Sequence, residues 1–92
     1  MENNAWVFYV IDAVNTSTDV VNYLAFDEYN AELTMTTDVD KCQQFDTYDK
    51  LAAWLNTYKE TIKKQFSGEY SNFHVAKIIR TRLLLERLED LG

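Results

Sequence analysis

An α+β fold is what this sequence predicts: a single domain over 1–92, with a small antiparallel sheet of three to four strands packed against one long amphipathic helix. Three observations predict it. Residues 46–68 carry apolar side chains at a helical period, between a capping start and a glycine stop. Residues 5–36 hold three runs rich in β-branched and aromatic residues, separated by polar turn formers. Residues 73–80 form a further run of that kind after the helix. Strands grouped before and after one helix, not alternating with several, point to an antiparallel sheet.

The first run, Ala5 to Asp12, is a strand by its Trp, Val, Phe, Tyr and Ile content. Both of its faces are apolar, Trp6/Phe8/Val10 on one side and Val7/Tyr9/Ile11 on the other. A strand wetted on one face would alternate apolar with polar, so this one is expected to be covered on both sides. One helix covers one face. The other has no evident cover within the chain, and a partner chain could supply it. Asn15-Thr16-Ser17-Thr18-Asp19 is a turn, and Val20 to Asp27 returns as the second strand of a hairpin. Glu28-Tyr29-Asn30 turns again into Glu32 to Thr36, completing a meander. Thr37 to Cys42 is expected to form a short helical turn capped by Thr37, and Gln43-Gln44-Phe45 a brief extended link.

The helix follows. Asp46 or Thr47 supplies an oxygen for the free N–H groups of its first turn, and Asp49 suits the positive end of the helix dipole. Leu51, Leu55, Tyr58, Ile62 and Phe66 recur at spacings of three and four, with Trp54 beside them. Lys59, Lys63 and Lys64 lie toward the C-terminal end, and Ser67-Gly68 stops the helix. Phe73 to Arg80 is the closing strand. In the tail, Leu84, Leu88 and Leu91 fit one helical face with Thr81 as cap, so a short helix is favoured over continuation of the strand through Leu85.

The totals restrict function. The single cysteine, Cys42, cannot form an intramolecular disulfide, and one Cys with one His cannot make a usual zinc site. No run is long enough to span a bilayer and no leader-like segment opens the sequence, so a cytoplasmic protein is expected. Net charge is −6, divided into −8 over residues 1–57 and +2 over residues 58–92. An acidic protein disfavours phosphate backbones, which weighs against ordinary nucleic-acid binding.

No catalytic or cofactor motif stands out. Asp38-x-Asp40 begins like a calcium loop, but Gln43 occupies the position of its turn glycine and Asp49 that of its final Glu. His74, within an apolar strand, has no base or nucleophile assignable from sequence. Acids around Cys42 would raise its pKa, which argues against a reactive thiol. With Gly68 and Gly92 the only glycines, a phosphate-binding glycine loop is ruled out. The sequence therefore predicts no enzyme, no metal and no cofactor.

The segment Thr37-Asp38-Val39-Asp40-Lys41-Cys42-Gln43-Gln44-Phe45, with the helix start through Leu55, resembles a pattern in small phage and prophage proteins of unknown function. In these an aromatic-rich hairpin, here Trp6 to Phe26, precedes a T-D-x-x-x-A-x-x-F turn, a helix and a closing strand. The likeness covers residues 5–80, and Cys42 stands where the pattern has Ala. It brings no functional residues. It implies an intracellular accessory protein acting on a host or phage macromolecule, an inhibitor of a defence system being one such role.

The residues favour a non-catalytic protein-binding module that forms a homodimer. Trp6, Phe8, Tyr9, Leu84, Leu88 and Leu91 are the expected contact residues. Asp27, Glu28, Glu32, Asp38 and Asp40 offer an acidic surface whose carboxylates could substitute for DNA phosphates in a basic groove. The alternative is a nucleic-acid-associated regulator using the basic C-terminal third, with Tyr70 and Phe73 as stacking rings beside Lys77, Arg80 and Arg82. A small ligand between helix and sheet is a third reading, which a cavity would decide.

Overall fold

The computed structural model describes residues 7–79 and 84–91. These form β1 (Val7–Asn15), β2 (Val21–Asp27), β3 (Glu32–Thr36), a 3-10 turn (Val39–Lys41), α1 (Tyr48–Phe66), β4 (Tyr70–Ile79) and β5 (Leu84–Asp90). The sheet is antiparallel throughout, in the order β3-β2-β1-β4-β5. The α+β class is as predicted, with one strand beyond the three to four expected.

Side-chain oxygens shape the first two turns. Asn15 Oδ1 accepts from the backbone N–H groups of Ser17 and Thr18, at 2.8 and 3.1 Å. Asp19 then takes the left-handed conformation, φ 61°, which Asp tolerates better than most residues. The second turn is built the same way around Asp27. Thr16 ties the first turn to the end of the helix, since its hydroxyl donates to the carbonyls of Gly68 and Glu69 at 3.0 and 3.1 Å.

Helix α1 begins one residue after Thr47, whose hydroxyl accepts from the Lys50 N–H at 3.2 Å. Of the two predicted caps, Thr47 serves. Asp46 instead stands 3.5 Å from Lys50 in an exposed ion pair, an arrangement worth little. The helix ends at Phe66, and Gly68 follows at φ 89°, a conformation that would strain a side chain. Leu51, Ile62 and Phe66 are buried against Ile11, Leu24, Leu33, Phe45 and Val75, while Leu55, Tyr58 and Trp54 pack half-buried around them.

The expectation that β1 is covered on both faces holds, but its second cover comes from within the chain. Cross-strand pairs Phe8–Ile78, Val10–Ala76 and Asp12–His74 share the face turned away from α1. Phe8, Val10, Ala76 and Ile78 are buried there with Cys42, and Val39 and Tyr23 pack against them. Segment 37–45 delivers this cover. Strands β1 and β2 pair only at 12–14 with 21–23. Where they part, Phe45 exchanges two backbone hydrogen bonds with Tyr9, at 2.8 and 2.9 Å, and the Gln43 N–H donates to the Leu24 carbonyl at 2.9 Å. The link thus wedges between two strands and folds the 3-10 turn onto the second face. Asp38, not Thr37, caps that turn, its carboxylate accepting from the Asp40 N–H at 2.9 Å.

The tail is a second correction. Leu84–Asp90 forms strand β5 where a short helix was favoured; Thr81 lies outside the described residues. The edge of β4 provides a ladder of backbone partners, and β5 satisfies it from Ile79–Leu84 to His74–Asp90. One residue, Leu88, is extra in that register, because Ala76 pairs Arg87 while Val75 pairs Glu89. The bulge brings Leu91 into step with Phe73, whose carbonyl accepts from the Leu91 N–H at 2.7 Å.

Candidate protein-binding surface

The β2–β3 hairpin carries three of the five predicted surface acids on one tip. Asp27 Oδ1 accepts from the N–H groups of Tyr29 and Asn30, at 3.0 and 3.4 Å, and Asp27 Oδ2 accepts from the Asn30 amide at 2.8 Å. The Asn30 side chain, chiefly, holds the Asp27 carboxyl below its ordinary pKa, so the turn is fully formed at neutral pH and loosens only as pH falls below the usual carboxylate range. Asp27 pairs Glu32 directly across the hairpin, setting like charges opposite each other, which costs stability. Glu28 is exposed beside them. Between these acids Tyr29 is 100% exposed. From sequence Tyr29 reads only as a turn residue, although an aromatic between Glu28 and Asn30 is a signal. Asp38 and Asp40 stand at the other end of β3, separated from the tip by a five-residue strand about 17 Å long.

Of the six predicted apolar contact residues, the described side chains Phe8, Tyr9, Leu88 and Leu91 stand in different surroundings. Phe8 is 2% exposed on the second face, with no surface to offer. Tyr9 is half-buried on the helix side, edge-on to Tyr48 with ring centroids 6.3 Å apart. Leu91 packs on the main core, and Leu88, at the β5 bulge, is 39% exposed. Trp6 and the side chain of Leu84 lie outside the described residues.

Chemistry-bearing groups are placed as follows. His74 Nδ1 lies 3.6 Å from Asp12 Oδ1, and Asp12 is fully buried. That contact gives His74 an acidic neighbour, while Cys42 packs with Phe8, Val10, Ala76 and Ile78. Burial, with Asp38 adding to it, pushes the Cys42 thiol up to about 12, and its S–H donates to the Val39 carbonyl at 3.1 Å. Such a thiol stays protonated at neutral and mildly alkaline pH. Iodoacetamide is therefore expected to leave Cys42 unmodified in native buffer and to label it on unfolding. Labelling at the rate of a free thiol would contradict this packing. Among the described residues no three His, Cys, Asp or Glu side chains group as metal ligands, and no helix is long and apolar enough to cross a membrane.

The aromatics of the nucleic-acid alternative are occupied inward. Tyr70 stands edge-on to Phe66 at 5.6 Å, and Phe73 packs on the main core. Arg80 and Arg82 lie outside the described residues, and Lys77 is half-buried. Comparison with protein-family models, curated proteins and solved structures gave no match.

Proposed function

We propose that this chain is a non-catalytic, intracellular protein-binding module whose β2–β3 hairpin tip engages a basic surface on its partner. The carrying observation is Tyr29, fully exposed on a turn braced by Asp27 and flanked by Glu28 and Glu32. A tyrosine held on a braced turn offers large contact area at low entropic cost, the usual property of an interface anchor. The like-charged Asp27–Glu32 pair is relieved when a cationic surface docks, so the unfavourable local arrangement favours binding. The resemblance to phage and prophage proteins supports the same reading, an accessory protein acting on a host or phage macromolecule. If the partner's basic surface normally holds nucleic acid, the acids would compete for it as phosphate substitutes.

Capture of the partner from the native source tests this. Tyr29→Ala is expected to weaken binding at least tenfold, as loss of a hot-spot aromatic of about 2 kcal/mol would do. Glu28→Gln with Glu32→Gln should slow association and reduce its salt dependence. Neither change touches the core, so the melting temperature should stay close to that of the parent. A partner retained equally by the parent and both variants would sink the proposal.

A further inference from the structure

We infer that the groove between α1 and β4 is a binding site for an amphipathic anion, a small molecule with an apolar body and a single carboxylate or phosphate head. This site is independent of the hairpin tip. Gln65, whose amide reaches the Leu33 carbonyl at 2.6 Å, projects about 200° around the helix from Lys63.

The groove is open to solvent and has a volume of about 490 Å³, within the size range of small-molecule sites. Leu55, Ile62, Phe73 and Leu91 give it apolar walls. Leu91 reaches it because the β5 bulge sets that residue opposite Phe73. At one lip stand Lys59 and Lys63, one helical turn apart and both exposed. Neither forms an ion pair among the described residues. Like charges at this spacing repel and weaken a helix, a cost that a bound anion relieves. Ser71 and Asn72 also line the groove and add hydrogen-bonding groups. The chain has fifteen acids against nine Lys and Arg, yet the described lining residues include two lysines and no acid. An apolar body would lie along the walls with its head between the lysines. A cationic or purely apolar ligand would leave that lip unmatched.

Octanoate, octyl phosphate, 1-octanol and octyltrimethylammonium, titrated into the full chain by calorimetry and amide NMR, test the site. Both anions should saturate one site, the tighter of them identifying the preferred head. They should bind about fivefold or more tightly than the alcohol, since two exposed charge contacts supply that much. The cation should not bind. Amide shifts should centre on residues 67–73 and 91. Lys59→Gln with Lys63→Gln should erase the preference for anions, and Ser67→Trp, at the exposed helix cap, should block the groove to every probe. The inference is overturned if no probe saturates, if the four bind alike, or if the shifts centre elsewhere. None of these results bears on the hairpin.

Discussion

Leu51→Ala is expected to destabilise this protein by about 3 kcal/mol, within the range for truncating a fully buried leucine. Leu51 is 0% exposed and lies in the first turns of α1, where the helix meets the sheet. The loss has two parts: the transfer free energy of the removed carbons and the cavity left among rigid neighbours. Helix propensity works slightly the other way, because Ala is the best helix former, so the measured loss belongs to packing. For 92 residues total stability is on the order of 5–14 kcal/mol, which makes this a large fraction. Melting should fall by roughly 12–24 °C at 4–8 °C per kcal/mol. Asn56→Ala, an exposed site on the same helix, should shift stability by no more than about 0.5 kcal/mol. Thermal melts of the two variants check the pair. If Leu51→Ala melts within a few degrees of the parent, the helix does not seat on the sheet through this residue.

That helix was legible because every signal for it is local. Cap, period and stop depend on neighbours within four residues, and all agreed; only Asp46 and Thr47 competed for one role. The hairpins were legible for the same reason, since Asn15 and Asp27 make their turns with atoms two and three residues ahead. Strand β5 was not. Leu84 and Leu91 are seven apart, which places them on one helical face but on opposite faces of a regular strand. With one extra residue at Leu88, the backbone positions of Leu84 and Leu91 fall opposite Ile79 and Phe73, an even separation on β4, so a bulged strand can carry a helix-like spacing. Nothing in the tail announces the bulge, because it arises from pairing with β4.

The candidate surfaces divide along the same line. The acids at Asp27, Glu28 and Glu32 were identifiable because a turn brings them together locally. Tyr29 was overlooked because its weight comes from complete exposure, a property of the tip's surroundings. The groove joins Lys59 and Lys63 to Phe73 and Leu91 across long separations in sequence. In sequence the lysines read only as cations toward the C-terminal end of the helix, and the groove appears only when β4 and the bulged β5 are in place.

Phe8→Ala carries the second large effect, about 3–5 kcal/mol, and it decides how the second face of the sheet is closed. From sequence that face needs a cover that the leucine-rich tail or a partner chain could supply. In the structure Phe8 and Val10 are already buried beneath the 37–45 segment, with Cys42 and Val39 on the same cluster. A face closed within one chain and a face closed by dimerisation predict different melts. A dimer-covered core melts at a midpoint that rises with protein concentration, because association is part of folding. Closure by the chain's own 3-10 turn predicts midpoints, for parent and Phe8→Ala alike, that do not move over roughly a hundredfold range of concentration. Ala76→Leu sharpens the distinction. Ala76 is 0% exposed and sits opposite Val10, so three added carbons have no space and should cost about 1–3 kcal/mol. On an open face the same leucine would be tolerated and would add apolar surface for association. Loss of stability with a midpoint independent of protein concentration therefore assigns the cover to residues 37–45. A stable Ala76→Leu with a concentration-dependent midpoint would return it to a second chain.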